Sequence, residues 1–117
     1  MSSALATEFN EGMLNIYRRA KAEAGYNATR FLSMVTDRGG LDTARYLLHA
    51  PVVSEGYTAL WERNRLDLTV EAMILQPRWK TLFSDDERRI AIQRLRDYGY
   101  KGELPTLTIG SGPNSPA

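Results

Sequence analysis

The stretch LDLTVEAMILQ, residues 66–76, decides the fold. It is the most apolar run of the chain, its only charges are Asp67 and Glu71, and Pro77 ends it. Leu66, Leu68, Val70, Ala72 and Ile74 alternate with the period of a strand. Leu66, Val70, Met73 and Ile74 also fall at i, i+4, i+7 and i+8, the stripe of a helix. Glu71, Ala72 and Met73 favour helix, and the only partner strand available is a tail interrupted by proline. The reading adopted is a helix capped by Asp67 and buried at the centre of the domain.

Working outward in both directions, helical signals recur. Upstream, Phe9, Met13, Ile16, Tyr17, Ala20 and Ala24 form one apolar face of a helix over residues 7–24, with Thr7 as N-cap and Gly25 as its stop. Gly12 interrupts that face, either as a close crossing or as a tolerated cost. Asn27 or Thr29 caps a second helix carrying Ala28, Phe31, Leu32 and Val35, closed by Gly39 and Gly40. Asp42 caps a third over residues 43–49, and Ala50-Pro51 breaks it. Ser54 caps a fourth over residues 55–63, which places Tyr57, Leu60 and Trp61 on a core face, and Asn64 stops it. Downstream, Ser84-Asp-Asp-Glu87 is a capping box that opens a last helix over residues 85–98. The expected fold is therefore all-α, a compact orthogonal bundle of about six short helices. A single domain spans residues 4–101, and a flexible Gly/Pro/Ser-rich tail covers 102–117.

Composition narrows the function classes. Fifteen basic and 14 acidic side chains leave a formal charge of +1, too little for a large one-signed field directed at nucleic acid or lipid. Twelve of the basic residues are Arg, which favours ion pairs between helices. No cysteine is present, so disulfides, thiolate catalysis and cysteine-ligated metals are excluded. The first residues lack a secretory signal pattern, and no apolar run approaches the roughly 20 residues of a membrane span. A cytoplasmic location, with no membrane partner, is expected.

Candidate chemical groups have structural readings. His49, the only histidine, ends a short helix beside no recognisable nucleophile, so no catalytic residue is assigned. Asp85, Asp86 and Glu87 sit in a first helical turn, where capping and the helix dipole explain them, and no metal or cofactor is assigned. Arg88, Arg89, Arg94 and Arg96 are balanced by four carboxylates and read as a solvated face of mixed charge. Residues 42–63 have the length and turn of a helix-turn-helix, whose second helix would present Thr58, Arg63 and Arg65 to nucleic acid. Glu55 and Glu62 oppose that use.

The pattern FLSMV…GGLDTARYLL…VSEGYTALWERNRLDLTVEAMIL…LFSDDERRIAIQRLRDYGY resembles a widespread bacterial family of small all-helical proteins. Members stand alone or are appended to larger proteins, some of them nuclease-like. The resemblance covers about residues 9–100 and transfers no catalytic or binding residue. It implies an accessory or interaction module beside nucleic-acid-processing or defence enzymes. Two Trp, six Tyr and three Phe point the same way, since aromatics and Arg are enriched at interfaces. A non-enzymatic domain that binds a protein partner or a second copy of itself is expected, with DNA binding as the alternative.

Overall fold

The computed structural model describes residues 3–105. Six α-helices follow in order: α1 Ser3–Ala24, α2 Thr29–Arg38, α3 Gly40–His49, α4 Glu55–Glu62, α5 Val70–Ile74 and α6 Asp85–Asp97. Short 3-10 turns at Leu66–Leu68 and Pro77–Leu82 flank α5, and no strand occurs among the described residues. The all-α bundle expected from the sequence is the observed fold.

The central stretch is helical and buried, but in two pieces. A 3-10 turn over Leu66–Leu68 closes with the Thr69 N–H donating to the Leu66 carbonyl at 3.1 Å. Thr69 then adopts extended backbone and its hydroxyl accepts from the Ala72 N–H at 3.1 Å, so Thr69 caps α5. The same hydroxyl donates to the Leu66 carbonyl at 2.7 Å, which ties the two pieces together. Asp67, the expected cap, is turned outward onto Arg65, 2.9 Å away. The break turns most of both periodic sets inward: Leu66, Leu68, Val70, Met73, Ile74 and Leu75 are buried, and Ala72 is half-buried.

Three other helix starts differ from the sequence reading, and one of them takes its cap from another helix. The first helix starts at Ser3 and Thr7 lies inside it, exposed. The second has Ala28 at its N-cap with no side-chain bond, because Asn27 instead accepts from the Tyr17 hydroxyl at 2.7 Å. The third starts at Gly40, and Asp42 lies in its first turn. Its first N–H is satisfied by α1, whose Asn10 Oδ1 accepts from Gly40 N at 2.7 Å. Gly39, at φ 87°, makes the corner between α2 and α3. A Cβ on Gly40 would stand 2.9 Å from the Asn10 Cα, so glycine is what lets α1 and α3 cross this closely. At Gly12, by contrast, an added Cβ meets the end of the flexible Met73 side chain.

Two local signals match the sequence reading closely. Ser54 accepts the Tyr57 N–H at 3.0 Å to open α4, which stops at Asn64 with φ 62°. Ser84 and Glu87 form the reciprocal capping box of α6, at 3.0 and 3.1 Å. Between them lies the core, where Phe9 meets Trp79 and Phe83 edge-on at centroid distances of 5.1 and 5.4 Å, beside Met13, Leu48, Ile74 and Leu95. Trp61 does not belong to it: the indole is 44% exposed and leans edge-on against Tyr98 at the surface. Of the flexible tail expected over 102–117, Leu104 packs on the core, and residues 106–117 lie outside the described residues. No described helix is long and apolar enough to cross a membrane.

Candidate functional site

Arg94, on α6, ties four elements together. Its Nη1 donates to Glu71 Oε2 at 2.8 Å and to the Leu47 carbonyl at 3.1 Å; its Nη2 donates to the Ala50 carbonyl at 2.7 Å. The two carbonyls belong to the C-terminal end of α3, where acceptors would otherwise be orphaned and a cation is favoured. The Arg94 carbonyl in turn accepts from the Tyr57 hydroxyl at 2.9 Å, which fixes α4. Arg94 and Arg88 are thus not part of a solvated strip: the side chains are 12% and 6% exposed, whereas Arg89 and Arg96 do face outward.

Glu71 is the buried partner, 3% exposed. Burial pushes its carboxyl above the usual range, and Arg94 together with its own backbone N–H opposes that shift. Arg45, on α3, is not its partner: it donates to the Leu82 carbonyl at 2.7 Å and places Nε 3.8 Å from Glu87. Tyr57, buried beside Glu71, has its hydroxyl pushed up, first by burial and then by the carboxylate.

Glu71, but not Arg94, borders a pocket of about 300 Å³ between α1, α2 and α4. Ile16, Ala20, Phe31, Met34, Leu60 and Leu68 make apolar wall, and Tyr17, Tyr26, Tyr46 and Tyr57 add aromatic rings. Of the charged residues that line it, only Glu71 is buried; Arg30 and Glu55 face each other loosely across 3.9 Å, with side chains 84% and 79% exposed. The apolar lining continues outside, because Tyr46 and Val52 are 56% and 71% exposed. Thr69, also buried in the lining, spends its hydroxyl on Leu66 and Ala72, and the Tyr57 hydroxyl donates to the Arg94 carbonyl. A concave, mainly apolar site with one buried carboxylate suits binding of an apolar body carrying one hydrogen-bonding function. No sequence pattern marked it, since its walls come from segments up to 55 residues apart, from Ile16 to Glu71.

The groups singled out in the sequence lie elsewhere. His49 shares a hydrogen bond of 2.8 Å with Glu87, which is also held by Ser84 and approached by Arg45. Burial raises the Glu87 carboxyl, but the Ser84 N–H, His49 and Arg45 outweigh it and the net shift is downward. This cluster joins the end of α3 to the start of α6. No group of three or more acidic or histidine side chains placed to hold a metal occurs among the described residues.

Arg63 and Arg65 meet at the end of α1. The guanidinium of Arg63 donates to the Ala24 and Ala59 carbonyls and covers the Tyr26 ring at 5.2 Å. Arg65 pairs with Glu23 at 2.8 Å and with Asp67 at 2.9 Å. Hydrogen bonds from Arg19 and Arg65 hold the Glu23 carboxyl down at about 2. Thr58 is half-buried on α4. Both arginines are therefore committed to protein acceptors. No protein-family model, curated protein or solved structure matches the chain.

Proposed function

We propose that this chain is a non-enzymatic interaction domain that receives an apolar side chain of a partner protein in the pocket between α1, α2 and α4. The observation that carries this reading is the continuity of the surface: exposed Tyr46 and Val52 lead from solvent into an apolar pocket. Apolar patches rimmed by polar groups are characteristic of protein-binding sites. The resemblance of the sequence to bacterial accessory modules supports the same reading. In that role the domain serves a larger nucleic-acid-processing or defence assembly.

The test is affinity capture from the native cell with wild type and Val52→Asp, each with and without nuclease treatment. A partner retained by wild type after nuclease treatment and lost by Val52→Asp supports the reading. Val52 is 71% exposed, so the substitution leaves the fold intact, which circular dichroism checks. Loss of the partner on nuclease treatment alone would instead favour nucleic acid as the bridging ligand, at the Thr58, Arg63 and Arg65 surface.

A further inference from the structure

We infer that the side chain received by this pocket is a tryptophan of the partner, with its indole N–H directed to Glu71; this rests on the reading that the pocket is the partner-binding surface.

Size comes first. An engineered cavity of about 150 Å³ holds benzene. The present pocket, at about 300 Å³, has twice that room and suits a bicyclic ring better than a single one. Its aromatic lining, Tyr17, Tyr26, Phe31, Tyr46 and Tyr57, favours an aromatic occupant through ring–ring packing.

Charge narrows the choice further. Of the buried polar residues in the lining, Thr69 is bonded to Leu66 and Ala72, and Glu71 supplies the charge: a carboxylate, which accepts hydrogen bonds and repels anions. That disfavours an acidic side chain or any other carboxylate at the inner end. Lysine or arginine is disfavoured for a different reason: Arg94 already neutralises Glu71, so a second buried cation would have no counter-charge. A neutral donor fits. The carboxylate offers about four lone-pair sites, and Arg94 and the Glu71 N–H leave room for another hydrogen bond. Leucine and phenylalanine fill apolar space but bring no donor. Tryptophan brings a bicycle and one neutral N–H. The residues flanking it on the partner would rest on Tyr46 and Val52, outside the pocket.

The experiment is an amide-resolved NMR titration of the full chain with N-acetyl-tryptophanamide, its benzothienylalanine isostere, which lacks the N–H, and N-acetyl-leucinamide. The expected result is saturable shifts at Ala28, Gly56, Leu68 and Val70, with the tryptophan probe bound about tenfold more tightly than its isostere. Gly56→Leu is the plugging variant. A Cβ at Gly56 has Tyr26 and Ser54 as its nearest neighbours, at 3.8 and 3.9 Å, so it is accommodated, and all three residues line the pocket that the rest of the leucine would occupy. It should abolish the shifts while the protein stays folded. Equal binding of the isostere or the leucine probe overturns the tryptophan assignment and leaves the apolar-anchor reading standing. Absence of shifts with every probe, together with undiminished partner capture by Gly56→Leu, overturns both.

Discussion

Glu71 and Arg94 meet at 2.8 Å inside the protein, and the same guanidinium that neutralises the carboxylate closes the C-terminal end of α3. The pair is therefore a joint as well as a charge balance. Removing one partner strands the other in a low-dielectric interior, where an uncompensated charge is costly.

We expect Glu71→Ala and Arg94→Ala each to destabilise the protein by about 3–5 kcal/mol, the cost of breaking a buried pair. In urea denaturation, the double mutant should show coupling of at least ~1 kcal/mol. Arg45→Ala should not couple to Glu71, because its partners are Leu82 and Glu87. Additive effects at Glu71 and Arg94 would refute the joint.

Two glycines should respond in opposite directions. Gly40→Ala pushes a methyl group against the Asn10 backbone of α1 and should cost about 1–3 kcal/mol by overpacking. Gly56→Ala enters ordinary contact within α4 and should stabilise by roughly 0.5–1 kcal/mol through helix propensity. Thermal midpoints of the two variants settle this; a stable Gly40→Ala would mean that α1 and α3 have room to separate.

Ser84→Ala should cost about 1 kcal/mol, the usual loss on removing an N-cap. Glu87→Gln should cost a similar amount, because the charge that draws His49 and Arg45 goes with it. His49→Ala, tested in the Glu87→Gln background, should then add little. A full-sized His49 effect in that background would show that the histidine acts through some other group.

The acid limb of stability is set by carboxyls held below their ordinary values. Glu23 sits at about 2 when folded against 4.5 ordinarily, and Asp67 and Glu87 are shifted the same way. As pH falls from 4.5 towards 2, the unfolded chain takes up protons first, so the stability these groups contribute above 4.5 is lost across that window. Glu71, shifted upward, has the opposite sign and favours the folded state as it protonates. Urea midpoints followed through this range should fall, and Glu23→Gln should flatten the decline. An unchanged slope in Glu23→Gln would place the acid sensitivity elsewhere.

What was legible in the sequence was whatever neighbours decide. The caps Ser54 and Ser84 satisfy N–H groups three residues away, so their patterns carried the information in full. Thr69 does the same for Ala72, but Asp67 lay closer to the start of the apolar run and drew the assignment. Long-range partners were a different matter. The charge of Arg94 looked solvated because nothing near it in the chain reveals that α3, α4 and α5 converge there. Trp61 shares its helical face with Tyr57 and Leu60, yet an eight-residue helix turns too little surface inward to bury all three. The pocket was invisible for the same reason: several segments each contribute only one or a few of its walls.

The position of Arg94 late in the chain has a consequence for synthesis. Its side-chain acceptors Glu71, Ala50 and Leu47 lie 23, 44 and 47 residues earlier, so each is translated well before its donor. During elongation the α3 terminus and the Glu71 carboxylate must stay hydrated, and α3, α4 and α5 lock only when α6 clears the ribosome. Such late, non-local closure delays folding relative to a bundle of neighbouring helix pairs. Stalled nascent chains ending before residue 94 should remain protease-sensitive across 47–71, and those that expose all of α6 should become resistant in one step. Resistance appearing before α6 emerges would show that the first five helices lock without it.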